Sequence, residues 1–178
     1  GFSALDAGLA TLPFSIGALV GSGIAVPLAA RLGKFLILIG AAFQVAGYLW
    51  VAREVLDRAD GLTGADLIWP MAVAGVGLTL ILVPLNDVAL AQTPVENAGA
   101  ASGVLNTFQQ VGGALGVAVI GVVFFGIAGE NFSPMNLRDA FSAAIWVSLI
   151  AVSLTGLFSF LLPSVSQVVA HKRAAEKV

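Results

Sequence analysis

The sequence predicts an all-α membrane protein with five transmembrane helices. Of its 178 residues, 58% are hydrophobic and only 10% are charged, whereas roughly 25% of the residues in a soluble domain are charged. The charges leave five uncharged runs, and each reaches the roughly 18 residues at which a spanning helix becomes plausible. Barrel strands would instead alternate in segments of about ten residues, so these continuous apolar runs favour helices.

The same runs divide the chain into a membrane part and a tail. We predict a transmembrane bundle over residues 1–163 and a cytoplasmic tail over residues 164–178. The predicted helices cover about 5–30, 34–53, 66–92, 98–128 and 139–162. The chain begins at Gly1 without an initiator methionine or a signal-peptide pattern, so we expect it to be a fragment of a longer protein.

The distribution of basic residues predicts the orientation in the membrane. The side that follows the first and fifth helices carries Arg31, Lys34, Lys172, Arg173 and Lys177, and the opposite side carries Arg53, Arg58 and Arg138. By the positive-inside rule the side with more basic residues is cytoplasmic. The C-terminus is therefore expected in the cytoplasm of a cell whose plasma membrane holds the protein.

The residue types exclude several function classes. The chain has no cysteine, which excludes disulfides and thiolate chemistry, and its basic residues are too scattered for a nucleic-acid surface. The single histidine, His171, lies in the tail, and no base at membrane depth could activate the hydroxyl of Ser22. We therefore expect no enzyme activity, no metal site and no cofactor.

The first and second helices differ in where they carry polar groups. In the first, Thr11 and Ser15 share one face, and Pro13 interrupts the backbone hydrogen bonds. Such helices line the solvated, moving part of transporters, although ordinary kinked packing gives the same pattern. The second helix has Gln44 as its one strongly polar side chain, and we expect it to be the most lipid-facing of the five.

The third helix contains Asp87, the only ionisable residue well inside a predicted span. An acidic residue within the membrane is a functional hypothesis by default, which makes Asp87 a candidate for proton coupling. A helix that enters near Leu67 has risen about 30 Å by this position, at about 1.5 Å per residue. The alternative is therefore a carboxylate at the inner interface.

The fourth helix combines amides and glycines inside a run without charges. Asn106, Gln109 and Gln110 lie on or beside one polar stripe, and such amides either face a water-filled substrate pathway or form hydrogen bonds between helices. The glycines have spacings that are typical of close helix contacts. The predicted packing positions are Gly99, Gly103, Gly112, Gly113 and Gly116.

Four segments resemble the C-terminal half of the major facilitator superfamily, and within it the fourteen-helix drug:proton antiporters. AGLATLP is similar to the entry of a family helix, and ARLGKF is similar to the cytoplasmic loop signature, with Arg31, Gly33 and Lys34 kept and Ala30 at its acidic position. GAASG resembles the family's restart after an inner loop. QQVGGALGVA resembles a Gln-x-Gly-Gly-x-x-Gly-x-Ala signature and is the most specific match.

The resemblance implies a secondary transporter that exports small lipophilic or cationic compounds by alternating access, coupled to protons. The implied partners are the lipid bilayer, a small-molecule substrate, protons and the missing N-terminal helices of the same chain. The substrate-pathway residues would be Thr11, Ser15, Asn106, Gln109 and Gln110. A sugar or amino acid transporter of the same superfamily and a non-transporting membrane scaffold remain alternatives.

Overall fold

The computed structural model describes residues 4–58, 61–91, 93–129 and 133–161. These residues form five long helices and no strand. They are α1 (Ala4–Leu32), α2 (Lys34–Asp57), α3 (Ile68–Leu90), α4 (Ala98–Ala128) and α5 (Pro134–Phe158). Each of the five contains or overlaps a segment long and apolar enough to cross a membrane, which confirms the predicted all-α class with five transmembrane helices. The predicted tail, with His171 and three of the basic residues used for the orientation, lies outside the described residues.

A single residue separates α1 from α2. Gly33 adopts φ 51°, in the left-handed region that glycine enters without steric cost. Its N–H donates to the carbonyl of Ala29 at 2.9 Å, so the turn also satisfies one backbone group at the end of α1. The Arg31, Gly33 and Lys34 positions of the predicted loop motif therefore form a very tight turn at one end of the bundle.

Two helices extend at one end by four or five residues beyond their predicted bounds. The second runs to Asp57 rather than 53, and its last turn carries ion pairs at i,i+4 spacing, with Arg53 to Asp57 at 3.4 Å and Arg58 to Glu54 at 3.2 Å. The fifth begins at Pro134 rather than 139, because the Ser133 hydroxyl accepts a hydrogen bond from the Asn136 N–H at 3.2 Å. A serine cap followed by proline is a strong start signal.

The third helix lies between α1 and α2 and forms the centre of the bundle. Glycines let these backbones approach closely. A Cβ atom built on Gly47 of α2 would lie 2.8 Å from the Cβ of Ala74 in α3, and one built on Gly75 would meet the carbonyl oxygen of Phe14 in α1. Small residues at such contacts are the usual basis of helix association in lipid. Fully buried side chains such as Leu36 complete this core.

The fourth helix has the opposite character. Only 6% of an 18-residue apolar stretch of this helix is buried, compared with 44% for the corresponding stretch of α3 and 39% for that of α2. It packs chiefly against α5 and has a small contact with α3. The expectation that the second helix faces lipid most is therefore wrong for the described residues: α2 packs against α3 and α5, and Gln44 is only 5% exposed. Its amide donates to the Tyr48 hydroxyl at 3.1 Å, which satisfies it inside the bundle.

Candidate functional site

Amide side chains project from the exposed face of α4. Asn106, Gln109 and Gln110 are all exposed in the described structure, although they lie in a helix apolar enough to span the membrane. The transfer of an amide without a hydrogen-bond partner into hydrocarbon costs roughly 2–7 kcal/mol of free energy, depending on the reference scale. This face is therefore unsuited to lipid and suited to water, to a polar ligand or to another helix.

One of these amides is held by a residue of the neighbouring helix. The Gln109 Nε2 donates to the Asn86 Oδ1 of α3 at 2.8 Å. No other hydrogen bond between two side chains joins any two of the five long helices within the described ranges. The sequence did not single out Asn86, although its place beside Asp87 and after Pro84 marked a polar interruption of an apolar helix.

The polar residues of the first helix are exposed but lie on another part of the bundle. Thr11 and Ser15 are both exposed, and the Thr11 hydroxyl donates to the Gly8 carbonyl of its own helix at 2.7 Å. Because α1 packs on α3 whereas α4 packs on α5, these five helices do not bring the two predicted polar faces together. The structure joins only Gln109 to a partner on another helix.

Asp87 lies in the last part of α3, on its exposed side. No ion pair of the described residues involves this carboxylate. It follows Asn86 directly and therefore lies next to the contact between α3 and α4. The position is compatible with both hypotheses for this residue, so proton coupling stays a prediction.

The glycines of α4 lie in open space. A Cβ atom built on any of the predicted packing positions would have no neighbouring atom within 4 Å in the described structure. These positions are Gly99, Gly103, Gly112, Gly113 and Gly116. The glycines that do make close contacts are those between α3 and its neighbours, such as Gly40 and Gly77. Packing of the α4 glycines therefore stays a prediction that needs a partner beyond these helices.

The charged residues at the C-terminal end of α2 form ion pairs and hydrogen bonds that connect α2 to neighbouring segments. Arg58 pairs with Glu54 at 3.2 Å and with Asp66, and Asp66 also accepts from the Thr63 hydroxyl at 2.7 Å. Arg138 of α5 donates to a carbonyl near the end of α2 at 2.7 Å. The described residues include no group of three or more His, Cys, Asp or Glu that could hold a metal ion.

Comparison with known proteins finds relatives that are named for transport or export. No family model and no solved structure matches it. It is 38% identical over 145 residues to a protein of Streptomyces coelicolor named as a probable actinorhodin transporter, a match that covers 81% of this chain and 25% of the relative. It is 31% identical over 132 residues to the tetracenomycin C resistance and export protein of Streptomyces glaucescens, covering 74% of this chain and 24% of the relative.

A further match extends over nearly the whole chain. It is to the uncharacterized MFS-type transporter EfpA of Mycobacterium tuberculosis, at 27% identity over 190 aligned residues, covering 99% of this chain and 36% of the relative. The chain thus spans between 24% and 36% of the length of these three relatives. All three names describe transport or export.

Proposed function

Because this chain belongs to the major facilitator superfamily, we propose that it is the C-terminal part of a secondary transporter that exports small lipophilic or cationic compounds. The export is coupled to protons and proceeds by alternating access, in which two halves rock about a site near the middle of the bilayer. The N-terminal half of the same chain supplies the other wall of that site. The protein lies in the plasma membrane with its C-terminus in the cytoplasm.

The observation that carries this proposal is the exposed amide face of α4. Asn106, Gln109 and Gln110 lie on the helix that the other four cover least. A face of this kind needs water or polar partners at membrane depth, and a substrate pathway between two halves provides them. Amides also orient a ligand without the desolvation cost of a full charge.

The names of the relatives support the proposed class of substrate. The names of two of them specify actinorhodin and tetracenomycin C, and we extend this to lipophilic or cationic small molecules for the present chain. Asp87 is the proposed proton-coupling residue, because it is the one carboxylate of α3 and lies in the last turn of this helix, next to the α3 and α4 contact. A sugar or amino acid substrate has no comparable support among these names.

The first experiment is to sequence the gene upstream of the Gly1 codon and to express the full reading frame in cells that lack their own efflux pumps. We expect the frame to continue through further apolar segments and the protein to lower the steady-state accumulation of ethidium relative to cells with an empty vector. Dissipation of the proton gradient by an ionophore should abolish this difference.

Three results would contradict the proposal. An open reading frame that starts at this chain would favour a membrane scaffold, in which the amide and glycine stripes serve only helix contacts. Competition by sugars or amino acids, but not by lipophilic dyes, would favour a metabolite transporter. Export that persists after the proton gradient is dissipated would separate transport from proton coupling.

A further inference from the structure

The contact between α3 and α4 depends on very few groups. Apart from their connecting segment, these helices meet over a small surface, and α4 is attached to the rest of the bundle mainly through α5. The glycines of α4 that could have allowed a close approach contact nothing in the described residues. The hydrogen bond between Asn86 and Gln109 is therefore the specific interaction that relates these two helices.

This bond fixes how the Gln109 amide is oriented. Its Nε2 donates to the Asn86 Oδ1 at 2.8 Å. A primary amide carries both donors and an acceptor, and its nitrogen and oxygen leave the same carbon in different directions. With the nitrogen bonded to Asn86, the Gln109 oxygen accepts no hydrogen bond from the described residues and remains able to accept one from a ligand. Gln109 is exposed, so a ligand can approach this oxygen.

The neighbouring amides of the same face are not held in this way. Asn106 and Gln110 are exposed, and no hydrogen bond from either side chain to another helix is found in the described ranges. A free amide can rotate and exchange the positions of its oxygen and its nitrogen, whereas the bond to Asn86 keeps the Gln109 oxygen at one position and leaves one N–H of Gln109 free. Asn86 thereby gives a defined orientation to one amide of an otherwise adaptable surface.

We propose that Asn86 is a positioning residue of the export pathway, which holds the Gln109 amide so that its oxygen faces substrates that donate hydrogen bonds. This inference rests on the proposed export function and adds a selectivity to it. Cationic compounds that carry N–H groups are favoured over neutral compounds that have none. Asn86 itself acts through Gln109.

The test uses the full-length exporter with two dyes that differ in hydrogen bonding. Ethidium is cationic and carries amino groups, and Nile red is neutral and has no N–H or O–H group. The loss of one hydrogen bond between helices in a membrane changes an equilibrium constant by about 3-fold to 20-fold. Asn86→Leu should therefore lower ethidium export by about 3-fold to 20-fold. The same variant should lower Nile red export by less than about twofold. Export is normalised to the amount of protein in the membrane.

Three further variants and one control separate positioning from general stability. Gln109→Leu and the double variant Asn86→Leu with Gln109→Leu should export ethidium equally, because the two side chains act as one unit. The exchange of the pair, Asn86→Gln with Gln109→Asn, keeps both amides and their combined length and should restore the ethidium to Nile red ratio. Thr155→Val is the matched control, since this exposed hydroxyl bonds only within α5, at 2.9 Å.

The outcomes distinguish this inference from the function on which it rests. Failure of the unmodified protein to export either dye overturns the proposed function and the inference with it. If the unmodified protein exports the dyes, two results overturn the positioning role alone. One is that Asn86→Leu lowers the export of both dyes equally. The other is that the double variant lowers ethidium export by the product of the two single-variant factors. If Asn86→Leu does not reach the membrane, Asn86→Ser, whose side chain is too short to hold Gln109, takes its place with the same expected ratio.

Discussion

Replacement of Gly77 by alanine tests the central packing of the bundle. A Cβ atom at this position of α3 would lie 2.7 Å from the carbonyl oxygen of Gly40 and 2.9 Å from the Cα of Gln44. Both atoms belong to the backbone of α2, so no side-chain rotation can relieve the contact. The added methyl group must push α2 away from α3, which also loosens the buried surroundings of Gln44.

The size of the effect follows from this geometry. Overpacking of a well-packed interior costs about 1–3 kcal/mol, and the better helix propensity of alanine returns at most about 1 kcal/mol. A loss of 1 kcal/mol lowers the unfolding temperature of a soluble protein of 150–250 residues by roughly 2–4 °C. We therefore expect a decrease on the order of 5 °C for Gly77→Ala in detergent.

The assay heats the purified full-length protein to a series of temperatures and then applies it to size-exclusion chromatography. The midpoint is the temperature at which half of the protein is lost from the monodisperse peak. Gly126→Ala is the matched control, because a Cβ atom at Gly126 of α4 would have no neighbour within 4 Å. This control should keep its midpoint or gain slightly. Equal midpoints for Gly77→Ala and Gly126→Ala would refute the close approach of α2 and α3.

Three other predictions concern the site and the helix ends. Asp87→Asn in the full-length protein should remove the pH dependence of dye export, and an unchanged pH profile would rule out proton coupling through this residue. A cysteine that replaces the exposed Asn106 should react with a water-soluble maleimide. A cysteine that replaces Ala74, which is 0% exposed, should not react. Equal reactivity of the two cysteines would contradict a solvated face of α4. Ser133→Ala should lower the free energy of unfolding by about 1 kcal/mol, because it removes the side-chain cap of α5. Ser153→Ala, on the exposed side of α5, should have little effect. The thermal unfolding midpoint measures the effect of each substitution.

The class of the fold could be predicted because lipid imposes a strict condition on the backbone. Every N–H and C=O group must be satisfied within the segment, so long uncharged runs in this sequence predict helices. The start of α5 was predicted too late, because the prediction relied on the charges Arg138 and Asp139 and neglected the cap formed by Ser133. Local capping chemistry, rather than hydropathy, determines where this helix begins.

The packing of the helices was harder to predict than their existence. Lipid tails are as apolar as a helix interior, so hydropathy does not indicate which apolar face contacts protein. The glycines of α2 and α4 look equivalent in the sequence, yet Gly47 contacts α3 closely and Gly112 contacts nothing in the described structure. Gln109 was predicted as a site residue, but its partner Asn86 was not, because only the three-dimensional arrangement brings residues 23 apart together.

The place of α3 between α1 and α2 has a consequence for the order of assembly during synthesis. The ribosome delivers α1 and α2 before α3, as two helices joined by one residue, Gly33. These two helices share little surface with each other, and the glycine-lined face of each one contacts α3. The pair therefore has no cohesive interface when it enters the bilayer. We expect α1 and α2 to stay apart until α3 leaves the translocon and moves between them, so that a ribosome stalled before Leu90 would leave α1 and α2 unpaired with each other in the membrane.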